Sequence, residues 1–299
     1  MEIHQLVYFV AVAETGGFSR AAERCNVAQP SLSQQIMKLE QELGHALFDR
    51  LGRRVTLTDA GALLLPRARQ VLSDLQSLKS EMLQDLDMGH GALSVGFIPT
   101  IAPFVLPRVI QRFSERFPHA RLSVHEDLTQ MLVRALIEGR LDLAVMSLPI
   151  QNRLVETHEL LAEPFVVAFS RHYHGVDRIE IRVKELERFP FIALSEMHCL
   201  GEQVQSFCHQ QNLALNVVCH TAQLTTVQSC IALGIGVSLV PQALASTDRS
   251  GQVLYQALVD AAPQRKIAAA TRAGRPPSRL AREVMQMVRE EYPGRPLLS

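Results

Sequence analysis

The chain has 299 residues, of which 47% are hydrophobic, and its 30 basic and 30 acidic side chains cancel in formal charge. This length exceeds one ordinary domain, and zero net charge argues against a protein that coats nucleic acid through a large basic surface. The chain opens without an export signal and carries five cysteines, which argues against a framework of structural disulfides. We predict a cytoplasmic protein with no membrane segment, no cofactor and no metal site.

The first sixty residues predict three helices and a hairpin. Apolar positions repeat at helical spacing from Leu6 to Ala13 and stop at Gly16. A second helix over residues 18–25 and a third over residues 29–43 are separated by a three-residue turn, which is the geometry of a helix-turn-helix. Residues 48–57 then predict two short strands around a glycine turn.

The third helix and the hairpin carry polar side chains suited to double-stranded DNA. Glutamine pairs bidentately with adenine, serine reads several bases, and lysine and arginine bind phosphate or guanine. The helix face alone is equally typical of a surface in water, and the three arginines of the hairpin favour DNA. The predicted DNA-binding residues are Ser31, Ser33, Gln34, Gln35 and Lys38 on the helix and Arg50, Arg53 and Arg54 on the hairpin.

Residues 59–86 predict a long helix that dimerises the protein. Its apolar positions alternate in steps of four and three, which is the heptad spacing of a coiled coil. A pair of such helices would present two helix-turn-helix units to half-sites about 34 Å apart. Alternatively the helix packs on its own sensor domain, and Pro66 predicts a kink or break near its start. The heptad positions are Leu64, Ala68, Val71, Leu75, Leu78 and Met82, and residues 87–91 read as a hinge.

From residue 93 the pattern changes to alternating strands and helices, which predicts a parallel, helix-covered sheet. A first set comprises strands at 93–98, 121–125 and 141–147 and helices near 105–117 and 129–138. A second set comprises strands at 164–169, 189–194, 216–220 and 237–240 and helices near 200–210 and 224–233. The sequence therefore predicts two α/β lobes, and clefts between such lobes are common ligand sites.

Six blocks, in order, resemble the signature of the LysR-type transcription regulators. The resemblance implies a winged helix-turn-helix, a periplasmic-binding-protein-like sensor whose last strand, near residues 265–271, returns to the first lobe, and a homo-oligomer, dimer or tetramer, that acts with RNA polymerase. Ala28 departs from a serine that caps the recognition helix in many members, a loss of roughly 1 kcal/mol. The blocks are Leu6-x-x-Phe9, Gly17-Phe18-Ser19-x-Ala21-Ala22, residues 29–36, Leu39-Glu40-x-x-Leu43-Gly44, Leu47-Phe48-x-Arg50 and Thr58-x-Ala60-Gly61.

The fold class expected from pattern and resemblance is α+β overall, with three parts. Residues 1–58 form the winged helix-turn-helix, residues 59–91 the linker helix and hinge, and residues 92–299 the sensor. Lobe I comprises about residues 92–162 and 266–299, and lobe II about residues 163–265.

A pair of cysteines suggests which chemical signal the sensor detects. Cys199 is expected near the N-terminus of a helix, where the helix dipole and His198 favour the thiolate that attacks peroxide. Cys208 follows nine residues later, about 13.5 Å along the same helix. A disulfide needs Cα atoms roughly 4.4–6.8 Å apart, so bonding the two would unwind the helix and act as a switch.

This region resembles the peroxide-sensing branch of the LysR-type family through residues 98–100, 125–129, 198–200, 203 and 207–208. The resemblance implies that Cys199 is the peroxidatic thiol and that Cys208 resolves it. It assigns effector binding to Thr100, Thr129, His198, Gln203 and Lys266. Two departures are Met197 in place of a usual glycine and Gly201 in place of a usual arginine that could stabilise the thiolate. Arg265 or Lys266 would have to supply the positive charge that the missing arginine would provide to the thiolate.

Three alternatives remain at this point. Cysteines at these positions are equally typical of small buried core residues, as expected for Cys25 and Cys230. The neighbouring donor pairs at residues 198–199, 208–209 and 219–220 lack the compact spacing of zinc sites. A regulator that binds a small organic effector would use the same cleft, lined by Thr100, Thr129 and residues 197–203. An enzyme is not expected, because no catalytic elbow, phosphate loop or His-Glu-x-x-His pair occurs.

Overall fold

The computed structural model describes residues 1–49, 55–86, 91–173 and 181–293, with only the backbone described at residues 76, 77 and 79–86. Its contacts divide the chain into two compact units. The first comprises Met1–Gly91 with Ala135–Arg140, and the second comprises Ala92–Arg134 with Leu141–Ser299. None of the helices within these described ranges combines the length and apolarity needed to cross a membrane.

The first unit contains the predicted helix-turn-helix. Its elements are α1 (Ile3–Thr15), α2 (Phe18–Arg24), α3 (Gln29–Leu43), the antiparallel strands β1 (Phe48–Asp49) and β2 (Thr56–Leu57), and α4 (Asp59–Leu86). Gly16 and Gly44 adopt left-handed conformations directly after α1 and α3, which confirms their role as helix stops. Phe9, Leu32 and Ile36 are fully buried between the three helices, so apolar packing fixes the orientation of α3.

The linker helix α4 differs from its prediction at one point. It continues through Pro66 without interruption, so the predicted break is wrong. Ala68 is buried in the same core as α1, with Leu64 against it, so the first heptad positions pack within the DNA-binding unit. Val71 and Leu78 are 43% and 58% exposed, and they lie seven residues apart on one face of the helix.

The second unit is a mixed α/β structure. Its strands are β3 (Gly91–Phe97), β4 (Ala120–Glu126), β5 (Leu143–Ser147), β6 (Val155–Ser170), β7 (Pro190–Leu194), β8 (Asn216–Thr221), β9 (Ser238–Pro241), β10 (Val253–Gln256) and β11 (Gln264–Arg272). Its helices are α5 (Ala102–Arg116), α6 (Thr129–Ile137), α7 (Cys199–Gln210), α8 (Leu224–Ala232), α9 (Gln242–Thr247) and α10 (Arg279–Glu291), with a 3-10 helix at Val183–Arg188. The last three residues of α6 belong to the first unit.

The sheet is only partly parallel. Strands β3 and β5 pair in parallel as predicted, and so do β7 and β8. Strand β11 runs antiparallel to both β5 and β6, because it returns from the second set of elements to the first. The strand order is β10-β6-β11-β5-β3-β4, and β9 also pairs with β6. The sheet predicted to be parallel is therefore antiparallel at its centre, where the returning strand β11 is inserted.

Strand β6 is longer than predicted and belongs to two sheets. Its first part pairs with β11 as far as Pro164, and its second part, from Phe165 onward, pairs with β9 and β10. The apolar run that predicted a strand at residues 164–169 marks only the second part. The first part lacks an apolar run, because it carries Glu156, His158 and Glu159 at exposed or partly buried positions.

Three elements near the C-terminus were missed. They are α9, β10 and α10. Of these, α10 has a sequence pattern from which a helix could have been predicted. Ser278 caps its N-terminus by accepting a hydrogen bond from the Ala281 N–H, and its buried positions Leu280, Val284 and Val288 recur every four residues.

Candidate functional site

Cys199 is the first residue of α7 and lies in the wall of a cleft. The cleft has a volume of about 1380 Å³ and is lined by the start of α6, the end of β5, the exposed side of α7 and the start of β11. Thr129, Gln203 and Lys266 line it with Cys199. Four of the predicted site residues thus share one cleft.

The thiol of Cys199 has polar neighbours that oppose its burial. Burial raises the pKa of this thiol above its ordinary value of 9.0 and is the largest influence on it. The charge of Arg265 acts to lower the pKa, and so do hydrogen bonds from the Thr129 side chain and from the backbone of Leu200 and Ser147. The sequence predicts that the helix N-terminus and His198 favour the thiolate. Instead burial prevails, and the favourable charge comes from Arg265.

Arg265 is held in a buried network. Its Nε donates to Glu163 Oε2 at 2.7 Å, and its Nη1 and Nη2 donate to the hydroxyl and carbonyl oxygens of Thr100, both at 2.9 Å. The hydroxyl of Tyr292 donates to the same Glu163 oxygen at 2.7 Å. Both charged side chains are 0% exposed. Burial acts to lower the pKa of Arg265, but Glu163 reverses this and raises it, so the guanidinium stays charged beside Cys199.

Lys266 points to a different partner. Its ammonium group pairs with Glu159 at 2.9 Å, and both side chains are about half exposed. Of the two basic residues offered to replace the missing arginine, only Arg265 influences the Cys199 thiol.

The predicted effector residues divide between two clefts. Thr100 and His198 line a second cleft of about 720 Å³, with Phe104, Gln228 and Asp248. The hydroxyl of Thr100 already accepts a hydrogen bond from Arg265, and only 2% of this residue is exposed. Thr100 therefore positions Arg265 in this structure.

Gln203 ties α7 to the end of β5. Its Nε2 donates to Ser147 Oγ at 2.9 Å and to the Leu148 carbonyl oxygen at 2.7 Å. Because Gln203 lies between the two cysteines along the helix, these bonds depend on the helical conformation of α7.

Cys208 lies on the same helix but faces the core. Its thiol is free, only 6% of the residue is exposed, and it packs in the cluster that contains Leu200 and Val204. Burial raises its pKa to about 11. Both cysteines lie on one continuous helix, as predicted, so their Cα atoms are about 13.5 Å apart along its axis.

Gly201 is in close contact with the backbone before α7. A Cβ added at this glycine would lie 2.4 Å from the Ser195 carbonyl oxygen and 2.5 Å from that of Leu194. No side chain fits there unless α7 moves away from β7. An arginine at position 201 would therefore require a shift of α7 in this chain, where Arg265 on β11 supplies the positive charge instead.

The predicted DNA-binding face lies on α3. Ser31, Gln34 and Lys38 are exposed, and Ser33 is partly buried. Gln35 is also partly buried, and its side-chain oxygen accepts a hydrogen bond of 3.2 Å from the Gln5 side chain. No side chain caps α3 at Ala28, as expected. Arg50, Arg53 and Arg54 lie outside the described residues.

Two family models match this chain. Residues 3–62 match the bacterial regulatory helix-turn-helix protein model of the lysR family, and residues 87–293 match the LysR substrate binding domain. Similar curated proteins include a hydrogen peroxide-inducible genes activator of Pectobacterium carotovorum, 33% identical over 98% of both chains. The DNA-binding transcriptional dual regulator OxyR of Escherichia coli K12 is also 33% identical, over 92% of this chain and 91% of that protein.

Solved structures show the same likeness. A full-length OxyR variant from Pseudomonas aeruginosa has a TM-score of 0.81 and 30% identity, over 99% of this chain and 97% of that one. An H2O2-bound cysteine mutant of OxyR from Corynebacterium glutamicum has a TM-score of 0.65 and 28% identity, over 97% and 92% of the two chains.

Proposed function

Since the chain belongs to the LysR family of bacterial helix-turn-helix regulators, we propose that it is a DNA-binding transcription activator that senses hydrogen peroxide through Cys199 and Cys208. The observation that carries this proposal is the placement of Cys199 in a cleft wall, hydrogen-bonded to Thr129 and facing the buried charge of Arg265. We keep the division into a DNA-binding domain (residues 1–58), a linker (59–91) and a sensor (92–299) as part of the proposal.

The chemistry has two steps. The Cys199 thiolate attacks one peroxide oxygen, the O–O bond breaks, and the departing hydroxide takes a proton to leave as water, so Cys199 becomes a sulfenic acid. The Cys208 sulfur then attacks the Cys199 sulfur, the S–O bond breaks, and a second water leaves as the disulfide forms. The charge of Arg265 stabilises the thiolate needed for the first step.

The second step requires α7 to unwind. The helix holds the two cysteines about 13.5 Å apart along its axis, whereas a disulfide needs Cα atoms roughly 4.4–6.8 Å apart. Unwinding would break the hydrogen bonds from Gln203 to Ser147 and Leu148 and would withdraw Cys208 from its core. A local oxidation would thereby alter the structure around β5.

A brief pulse of stoichiometric peroxide on the reduced full-length protein tests the proposal. We expect a rapid Cys199–Cys208 disulfide, found by peptide mapping after cleavage at Glu196 and Glu202, which isolates Cys199 on residues 197–202. In Cys208→Ser we expect the Cys199 sulfenic acid to persist and to be captured by dimedone. The proposal fails if both thiols of the unmodified chain remain reduced at peroxide levels that convert a known sensor.

The pH dependence of Cys199 follows from its raised pKa. Below its pKa the thiolate fraction grows about tenfold per pH unit, so we expect the alkylation rate of Cys199 to rise about tenfold per unit between pH 7 and pH 9. Iodoacetamide labelling of Cys208→Ser, read on the 197–202 peptide, measures it. A rate that levels off below pH 8 would show that Arg265 outweighs burial.

The DNA partner follows from the exposed side chains of α3. Ser31 and Gln34 are open to solvent in the first two turns of the helix, which is the end that contacts base edges in helix-turn-helix proteins, and Lys38 is exposed further along. Val71 and Leu78 supply an exposed apolar edge on α4, which suits pairing with a second copy. We infer that the active form is a dimer through α4, assembled further into a tetramer, that recruits RNA polymerase.

Replacing Gln34 with alanine is expected to weaken binding to the specific operator by about 1–3 kcal/mol while leaving binding to unrelated DNA unchanged. The reason is that an exposed glutamine at this point of α3 can pair bidentately with adenine. Gln41→Ala is the matched control, since Gln41 is exposed further along the same helix. Fluorescence anisotropy with operator and scrambled duplexes measures both, and equal losses in the two variants would exclude base reading by Gln34.

A second candidate is a regulator that binds a small organic effector. The cleft of about 1380 Å³ beside Cys199 is larger than peroxide requires and favours this reading. Cys199→Ser separates the two functions: a peroxide sensor loses its transcriptional response, whereas an effector-binding regulator keeps it.

A further inference from the structure

A second pair of thiols packs against a different hydrophobic cluster from the one that contains Cys208. Cys219 is on β8, opposite Ile192 of β7, and Cys230 is on α8. Both side chains pack against one hydrophobic cluster, which includes Ile192, Val227 and Ile231. Helix α8 packs directly against β8, and the Cys219 thiol is close enough to raise the pKa of Cys230. Unlike Cys199 and Cys208, this pair is brought together by the fold itself.

The pair is also accessible. Both cysteines are free and partly exposed, so a small oxidant can reach them without unfolding of the cluster. Within the described ranges, no group of three His, Cys, Asp or Glu side chains is placed to hold a metal ion, so these thiols have no third ligand beside them. Two neighbouring accessible thiols are suited to redox chemistry.

We propose that Cys219 and Cys230 form a second dithiol/disulfide site, which excess hydrogen peroxide closes into an intramolecular bond between β8 and α8. One thiolate attacks a peroxide oxygen, the O–O bond breaks, and water leaves, so that sulfur becomes a sulfenic acid. The other sulfur attacks it, the S–O bond breaks, and a second water departs with the remaining thiol proton. The two cysteines lose two electrons in total, and the peroxide gains them.

The bond would act on the neighbourhood of the first switch. It would fasten β8 to α8, the helix whose first residue Leu224 and N-cap Gln223 line the second cleft with Thr100 and His198. The carbonyl of Thr221, the last residue of β8, accepts a hydrogen bond from the Ser195 N–H in the turn before Cys199. Fastening β8 to α8 would therefore hold the turn that precedes the peroxidatic helix.

Reaction at this site should be slower than at an exposed thiol. Burial raises the pKa of Cys230, and the neighbouring Cys219 thiol raises it further, so little thiolate is present at neutral pH. The Cys219–Cys230 disulfide would therefore form only after prolonged treatment with hydrogen peroxide or at high peroxide concentration.

The experiment uses the full-length Cys199→Ser/Cys208→Ser variant, which removes the first pair and leaves Cys25, Cys219 and Cys230. It is treated with excess peroxide, denatured and alkylated. Residues 189–248 contain no lysine or arginine, so combined cleavage at Glu202 and Arg249 yields one peptide with both cysteines. We expect this peptide to lose two hydrogens and to resist alkylation, and to remain cross-linked after further cleavage at Leu224.

Cys230→Ser in the same background is the matched control, and there the two-hydrogen loss should vanish. A rise of a few degrees in melting temperature on oxidation, absent from the control, would show that the cross-link forms in the folded protein. The proposal is overturned if both thiols are recovered by alkylation, or if either is oxidised to a sulfinic acid while the other stays free. Because the first pair is absent, these outcomes are independent of whether Cys199 senses peroxide.

Discussion

Replacing Arg265 with methionine is expected to lower the free energy of unfolding of the second unit by about 3–5 kcal/mol. The substitution removes one partner of a fully buried ion pair and leaves the Glu163 carboxylate without its countercharge. It also removes the charge that favours the Cys199 thiolate, so the alkylation rate of Cys199 at pH 7 should fall. Urea unfolding and iodoacetamide labelling measure the two effects.

A double variant separates stability from thiol chemistry. Adding Glu163→Gln removes the orphaned charge and keeps an oxygen at the Oε1 position for the Ala243 N–H. The amide NH2 then stands at the Oε2 position, where the Tyr292 hydroxyl can accept from it instead of donating. We expect part of the lost stability to return while the Cys199 thiol stays slow to react. Lys266→Met is the surface control, because its exposed ion pair with Glu159 should contribute less than about 1 kcal/mol. A loss below 1 kcal/mol in Arg265→Met would contradict the role of the network.

Replacing Gly201 with alanine is expected to destabilise the second unit by about 1–3 kcal/mol, although alanine is the better helix former. The added Cβ would meet the carbonyl oxygens of Ser195 and Leu194 well inside van der Waals contact, and backbone cannot rotate away as a side chain does. The turn before Cys199 must then shift, so the alkylation rate of the Cys199 thiol should change as well.

Ser206→Ala is the control for Gly201→Ala, because Ser206 lies on the exposed side of the same helix. Helix propensity alone predicts that both substitutions stabilise α7. Thermal unfolding of the two variants decides the matter, since a Gly201→Ala protein as stable as the original would show that α7 does not approach β7 this closely.

Much of the fold was predictable because its signals are local. The stops of α1 and α3 depend on single glycines in left-handed conformations, and the core of the helix-turn-helix follows helical periodicity. The position of Cys199 at a helix start followed from the strand, turn and helix pattern around it. Signals of this kind need only neighbouring residues.

The charge network at the site was not predictable, because its members are distant in sequence. Arg265 and Glu163 are 102 positions apart, and Tyr292 is 129 positions from Glu163. The one available cue was Glu163 itself, a carboxylate directly before an apolar strand segment. The pKa of Cys199 was not predictable for the same reason, because neighbours along the chain reveal a helix terminus but not the extent of burial.

The buried network lies at the point where strand β6 passes from one sheet to the other. Glu163 and Pro164 lie where the strand leaves its pairing with β11 and begins to pair with β9, so any rotation of one half of the second unit against the other must twist the chain at this point. The Glu163 carboxylate at this point forms the buried ion pair with Arg265, and the charge of Arg265 acts to lower the pKa of Cys199. A movement that displaces Glu163 would therefore also displace Arg265 and change the thiolate fraction of Cys199.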